Sequence, residues 1–313
     1  MVRVFAVGEN LIYEKAQVSE GTWIKMTAPD VEEVRHIANY LNLEHDDITS
    51  SVSDPEEANR LEITDTYALI LIDIPVIVAV RGNKKSYKTI PLTIILTENN
   101  IVTICSEENP ILDYFHSVRA GIFSMERKLN FAYQIMFRVA IVYQQVLRVI
   151  NTKRIEAEEH IRRINDEDAI INLHELESSL VYMATALQGN GNVLNRIVRI
   201  TSQHQFAEDE ELLNDIIIEN NQAIEMAQIY RDILDGTREL MSTIINLRLN
   251  LAMKHLTSIT IVLAIPTVIA GIYGMNVDSQ WMPLANAPHG FGIICGIISI
   301  IALIAFAFLV RGR

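Results

Sequence analysis

Hydrophobic and polar positions change rhythm twice along this chain. Up to about residue 108, apolar residues come in short runs rich in Ile, Val and Thr; from about residue 109 they recur at three- and four-residue spacing. At the end they form two unbroken blocks. Leu256 to Tyr273 has no charged residue over 18 positions, and Phe291 to Val310 has none over 20. Each can cross a hydrocarbon core as a helix, which takes roughly 20 residues. Only Gly274 to Gly290 separate them, 17 residues without Lys or Arg. This pattern dictates a helical membrane hairpin at the end of a large polar domain.

The first region reads as mixed α/β. Strand-like runs lie at Thr22 to Met26, Tyr67 to Ile74, Val76 to Val80, Ser86 to Leu96 and Ile101 to Cys105. Arg81-Gly82-Asn83-Lys84-Lys85 has the composition of a hairpin turn. Ahead of Val31, Asp30 is placed to cap a helix, and Glu33 stands at the reciprocal capping-box position. His45 to Glu57 is short, acidic and half helical in pattern. No Gly-rich turn links a strand to a helix, so no nucleotide-binding loop is expected.

Beyond Asn109 the strand signals stop. Ile111 to Ile150 predicts a long helix, and Thr152 to Asp168 a solvated helix face laced with opposite charges. Ile170 to Leu187 resumes the helical period, and Gly189-Asn190-Gly191-Asn192 predicts a corner between two helices. From Glu208 to Tyr273 the only proline is Pro266 and the only glycines are Gly236 and Gly271. Leu212, Ile216, Ala223, Met226, Tyr230, Ile233, Leu240 and Leu247 keep a near-heptad spacing. One helix of about 65 residues, roughly 100 Å long, is the simplest account. A pattern this long points to helix association, and Pro266 is tolerated where neighbouring helices satisfy the freed carbonyl. The chain therefore divides into a cytoplasmic α/β domain (1–108), a helical layer (109–206) and a stalk helix running into the first span (207–273). An external loop (274–290), the second span (291–310) and a cytoplasmic tail (311–313) follow. The expected fold is an α+β soluble domain, a long helical stalk and two transmembrane helices.

Charge changes the picture in two ways. The part before residue 251 holds 38 of the 39 acidic and 23 of the 26 basic residues, a formal charge of −15, which disfavours nucleic acid and concentrates cations. Arg231, Arg238, Arg248 and Lys254 precede the first span, and Arg311 and Arg313 close the chain. Both termini are therefore expected in the cytoplasm, with the protein in the cell membrane. Met1-Val2-Arg3-Val4-Phe5 lacks a signal-peptide core, which leaves the hairpin as the expected targeting signal. Cys105 and Cys295 fall in different regions, and no disulfide is expected between them. The eight histidines are scattered, and His174-Glu175-Leu176-Glu177 reads as an exposed helix face. With no Gly-x-Ser-x-Gly, Cys-x-x-Cys or phosphate-binding loop, neither catalysis nor an organic cofactor is expected.

The first span carries the candidate chemistry. Asn250, Met253, Leu256, Thr260, Ala264, Thr267, Gly271 and Gly274 fall on one helical stripe, small or hydroxylated above the membrane entrance. Small residues let helices pack closely; equally, several copies of this stripe can wall a water-filled path. One hairpin cannot enclose a path, so a pore requires an oligomer.

Tyr273-Gly274-Met275-Asn276, directly after the first of two C-terminal spans, resembles the signature of the CorA family of magnesium transporters. The likeness extends to Tyr230-Arg231-Asp232-Ile233, to Asn250 through Thr257, to Thr267 through Tyr273 and to Trp281-Met282-Pro283. Asp54-Pro55-Glu56-Glu57 and Arg60-Leu61-Glu62 match more loosely. The resemblance implies a homopentamer in the lipid bilayer that admits Mg²⁺, and also Co²⁺ or Ni²⁺. Its selectivity filter would be Gly274, Met275 and Asn276: Mg²⁺ releases water reluctantly, and the Gly274 carbonyl and Asn276 amide oxygen can accept from its intact hydration shell. Met275 would pack behind the ring. Thr267 and Gly271 would continue the path, Asn250 would form a polar ring at the cytoplasmic end, and Met253 and Leu256 would form a constriction that closes by dewetting.

Two positions depart from the family's pattern. Ala264 replaces a bulkier apolar residue, and Leu284 follows Pro283 where relatives carry an acid, leaving Asp278 as the loop's only charge. The resemblance also implies regulation by cytoplasmic Mg²⁺ bound between subunits, with Asp215 on the stalk and Asp47 of a neighbouring α/β domain as ligands. Two rival functions compete with this one. The family's zinc-transporting branch, with proton coupling, often varies the Met of the signature; a two-span receptor or scaffold would not need the polar stripe.

Overall fold

The computed structural model describes residues 1–7, 12–80, 84–115, 127–163, 167–201, 207–276, 282–284 and 287–311. Two compact units emerge, Met1–Asp235 and Gly236–Arg313. The first is built on a seven-stranded sheet ordered β2-β1-β3-β7-β6-β5-β4. Its strands are β1 (Val2–Val7), β2 (Ile12–Lys15), β3 (Thr22–Thr27), β4 (Arg60–Ile63), β5 (Tyr67–Val80), β6 (Lys84–Thr97) and β7 (Ile101–Cys105). All neighbouring pairs are antiparallel except β3 and β7.

Helices cover the sheet on both faces, so its strands are apolar on both. Leu69 and Leu71 join Ile24, Met26, Val102 and Ile104 in a core with Val34, Ile37 and Ile48 from α1 (Val31–Leu41) and α2 (His45–Ser53). Across the sheet, Trp23 stacks edge-on to Phe131 at 5.2 Å, and Phe115 meets the same ring at 5.2 Å. These two phenylalanines belong to α4 (Lys128–Arg163) and to the end of α3 (Pro110–Tyr114). Two buried polar side chains on this face find partners. The Trp23 indole donates to the Thr103 hydroxyl at 2.9 Å, and the Lys25 ammonium meets Asp113 at 2.5 Å. Asp30 accepts from the Glu32 and Glu33 amides while Glu33 returns to the Asp30 amide, the capping box expected at the start of α1.

Three expectations need correction. Pro75 does not divide two strands; β5 runs unbroken through it, and β6 runs through Pro91. The register shows why. Asp73 stands opposite Pro91, and β4 pairs with β5 only as far as Leu71. The amide of Pro75, had it one, would point to the edge past β4, and that of Pro91 to the side where β7 has ended opposite Leu92. The missing donors therefore fall where no strand needs them.

Gly189-Asn190-Gly191-Asn192 is not a corner either: α5 (Glu167–Thr201) passes straight through it. The glycines serve close approach. A Cβ at Gly189 would lie 2.9 Å from the Asn59 side chain, and one at Gly191 would lie 3.3 Å from the Asn220 amide nitrogen. Between them Asn190 reaches the exposed edge of β5, accepting from the Asp73 amide at 2.8 Å and donating to the Asp73 carbonyl at 2.9 Å. One side-chain amide thus stands in for a missing strand. The third correction is that the helix predicted over Ile111 to Ile150 is two elements, α3 and α4, with α4 absorbing the charged stretch as far as Arg163. The strands β1, β2 and β4 were not predicted. The Arg81-Gly82-Asn83 part of the predicted turn lies outside the described residues, between Val80 and Lys84, which pair directly.

The first part of α6 (Ala207–Tyr273) docks on this unit through Leu213, Ile216, Asn220, Ala223, Ala227 and Leu234, all buried. Gln144 of α4 donates to Glu219 of α6 at 2.5 Å, and Asn220 donates to the Leu187 carbonyl of α5 at 3.2 Å. Asp209, buried near the helix start, takes Arg127 and Asn130, each at 2.6 Å.

Replacing Asn190 with Leu, which keeps the volume but offers no hydrogen bonds, should destabilise this unit by about 2 kcal/mol by leaving both backbone groups of Asp73 unpaired. Thermal unfolding of the full chain in detergent would show it.

A second expectation concerns the Asp73 carboxyl, which burial pushes up from 3.8 to about 6, partly offset by a hydrogen bond from Asn59. The folded state holds this proton where the unfolded chain has lost it, so stability falls as pH rises from about 4 to about 6 and then levels. Asp73→Asn cannot ionise. Its stability relative to the unaltered chain should be higher at pH 8 than at pH 4, by about 2 kcal/mol.

Candidate functional site

In the second unit α6 continues as one helix through Pro266 to Tyr273, and α7 spans Gly290–Arg311. Both are long and apolar enough to cross a membrane, and none of the described residues buries their apolar windows. Large apolar side chains stand open to the surroundings, with Leu256 67% and Leu263 64% exposed. In water this would be untenable; in a bilayer it is what a span requires.

One face of α6 is nevertheless half covered: Ser258, Val262, Ile265, Pro266, Ile269 and Tyr273. At about 100° per residue these lie opposite the predicted stripe. Every member of that stripe (Asn250, Met253, Leu256, Thr260, Ala264, Thr267, Gly271 and Gly274) is exposed. The chain therefore covers the other side of this helix and leaves the polar, small-residue side open. Among the described residues nothing requires the glycines on the stripe. A Cβ at Gly271 would meet nothing within 4 Å, and one at Gly274 would sit in ordinary contact, 3.4 Å from the Ala270 carbonyl. Glycine in a helix interior costs about 1 kcal/mol relative to alanine.

The stripe's hydroxyls are turned to the backbone. Thr260 donates to the Leu256 carbonyl at 2.8 Å and Thr267 to the Leu263 carbonyl at 2.9 Å. With the proton committed, each oxygen presents only lone pairs outward.

At the end of α6 the Gly274 amide still bonds back to the Ala270 carbonyl at 2.9 Å, and the Met275 amide to Ile272 at 3.3 Å. Asn276 follows, exposed, as is Met275. The predicted filter thus sits on the last bonded turn of the span. Among the described residues nothing covers Met275, which is 59% exposed. The Tyr273 phenol donates to the Pro283 carbonyl at 2.8 Å, a contact that no spacing along the chain singles out. Asp278 and Trp281 of the loop, and Arg313 of the tail, lie outside the described residues.

The two predicted regulatory carboxylates lie in the first unit in different settings. Asp215 is exposed on α6. Asp47, on α2, is 9% exposed and already accepts the Tyr67 phenol. Burial, followed by that hydrogen bond, pushes the Tyr67 hydroxyl up to about 12. Among the described residues, no three His, Cys, Asp or Glu side chains converge within one chain to hold an ion. Cys105 is buried and Cys295 exposed, and neither is in a disulfide.

An α/β unit, one long helix and a short membrane hairpin with an open polar stripe define the architecture of a two-span transport protein. The comparisons make the class specific: the CorA-like Mg²⁺ transporter protein family matches residues 19–311, and the chain belongs to that family. It is 27% identical over 293 residues to the cobalt/magnesium transport protein CorA of Methanocaldococcus jannaschii, covering 92% of this chain and 89% of that protein. It is 22% identical to the cobalt/magnesium transport protein CorA of Thermotoga maritima, over 91% of this chain and 81% of the relative. The complete structure of the M. jannaschii CorA magnesium transporter superposes with a TM-score of 0.82 at 24% identity, covering 99% of this chain and 97% of that one, which establishes the fold. The chain thus belongs to a family of membrane transport proteins.

Proposed function

We propose that this chain assembles as a homopentamer in the cell membrane and admits Mg²⁺, with Co²⁺ and Ni²⁺ as further substrates, along a path walled by the α6 stripe. Both termini face the cytoplasm. The observation that carries this proposal is the placement of the whole stripe on the face opposite the one the chain covers. A span needing only lipid would have no use for Asn250, Thr260, Thr267 and two glycines aligned there. Five copies turned inward put those residues to use, and the glycines then give room to neighbouring helices or to a passing hydrated ion.

A hydrated Mg²⁺ turns its water hydrogens outward, so the wall must accept hydrogen bonds rather than donate them. The Thr260 and Thr267 oxygens, with protons already committed, suit that role. At the mouth the Gly274 carbonyl and the Asn276 amide oxygen do the same. A ring of neutral acceptors holds the ion loosely enough to let it go, whereas a charged ring would retain it. Met253 and Leu256, large and open at the cytoplasmic end, form the constriction that dewets when the helices close. Ala264 makes no second constriction. The intact Gly274-Met275-Asn276 favours magnesium over the zinc-transporting branch.

Regulation follows from the acid-rich part before the membrane. Asp215 offers an open carboxylate at the surface where copies would meet. Asp47 of a neighbouring copy joins it through the lone pairs that its bond to Tyr67 leaves. Bound Mg²⁺ offsets repulsion between acidic faces and favours the closed pore, to the extent that it binds the closed state more tightly.

Flux into proteoliposomes loaded with a Mg²⁺ indicator tests both proposals. Asn276→Ala should lower Mg²⁺ uptake about tenfold or more while the assembly stays intact on sizing; uptake at the original rate would remove Asn276 from the filter. Asp215→Ala should shift inhibition by internal Mg²⁺ severalfold to higher concentration and weaken Mg²⁺ protection of the first unit from protease. If both curves stay in place, also with Asp47→Ala added, the sensor lies elsewhere.

A further inference from the structure

The described part of the external loop is held at two points, and both bear on the mouth. The first is the Tyr273 phenol on the Pro283 carbonyl at 2.8 Å, which closes a ring of chain containing Gly274, Met275 and Asn276. The second lies one residue further on. Leu284 takes a left-handed backbone with φ 62°, uncommon for a residue with a branched side chain. That turn carries its carbonyl to the start of α7, where it accepts from the Ala287 amide at 3.2 Å. A Cβ on Gly290 would lie 2.1 Å from the Leu284 oxygen, so only glycine fits there. The Pro283 carbonyl is thus held by the end of the first span, and the Leu284 carbonyl by a turn that closes on Ala287 and packs against Gly290 at the start of the second. Tyr273 is half-buried, whereas Met275 and Asn276, inside the ring, are exposed.

We infer that the Tyr273 hydroxyl is a positioning residue for ion selection: its bond to the Pro283 carbonyl, braced by Leu284 against Gly290, sets where Asn276 stands at the pore mouth. This rests on the proposal that Gly274-Met275-Asn276 forms the filter. A ring of neutral acceptors discriminates between hydrated ions only by where those acceptors stand, since it carries no charge to compensate for poor placement. Ions differ in hydrated size and in the strength with which they hold water, so releasing the clasp alters their ranking and not merely the amount of functional protein.

The test is uptake by the full-length protein in proteoliposomes, comparing Mg²⁺ and Co²⁺, for Tyr273→Phe, Gly290→Ala and Asn276→Ala. Tyr273→Phe keeps the ring and removes only the hydroxyl. It should raise the Mg²⁺ concentration for half-maximal uptake about fivefold, the equivalent of one neutral hydrogen bond, and change the ratio of Mg²⁺ to Co²⁺ uptake. Gly290→Ala displaces Leu284 from the other end with the phenol in place, and should move both quantities too. It also serves as the test should Tyr273→Phe fail to assemble. A purely structural role would lower maximal uptake of both ions equally and leave half-saturation and the ratio unmoved; that result overturns the inference. Asn276→Ala separates the two levels. If it abolishes uptake while the clasp variants change neither quantity, the filter stands and the clasp does not position it. If it leaves uptake intact, the filter itself is refuted.

Discussion

Within a bilayer every backbone amide and carbonyl has to find its partner inside the protein, and α6 meets that demand by being a single helix from Ala207 to Tyr273. Much of the rest depends on that continuity. Its first part carries the buried positions from Leu213 to Leu234, and its last part carries the open stripe from Asn250 to Gly274. Even Pro266 is accommodated, because it falls on the half-covered face rather than on the stripe.

How much of this was legible in the sequence depended on whether the deciding interaction was local. The two spans, the long helix and the capping box of Asp30 and Glu33 follow from periodicity and from groups a few residues apart, and they were read correctly. Pro75 and Gly189-Asn190-Gly191-Asn192 were misread for a common reason. Each is a breaker by composition, and in each case a distant part of the chain removes the penalty: the end of β4 for Pro75, and Asn59, Asp73 and Asn220 for the helix segment. Strands β1, β2 and β4 are short pieces of 6, 4 and 4 residues, and β2 and β4 are edge strands with one partner each, too short for a period of their own to stand out.

The candidate site divides in the same way. The stripe could be listed from spacing alone, since residues three and four apart share a helix face. That this face is the one left open could not, because it depends on what covers the opposite side. Asp215 and Asp47 looked alike as acids in a sequence; the structure gives one an open surface and the other a buried phenol. The Tyr273 to Pro283 contact joins two residues ten apart through a loop with no regular period, and only geometry could bring it out.

The Asn190 amide on the outer edge of β5 has a consequence for how the protein behaves while it is being made. β5 is 14 residues long, yet β4 shields its outer edge only from Ala68 to Leu71. The remainder is a long, apolar ribbon of the kind that recruits strands from other chains. Asn190 occupies the first vacant position at Asp73, and Pro75 offers no donor at the next one on that side. A second chain attempting to add there would meet one blocked pairing site and one that lacks an amide. For a protein whose spans must wait for a membrane, such an edge guards the part already folded against the commonest route into aggregates.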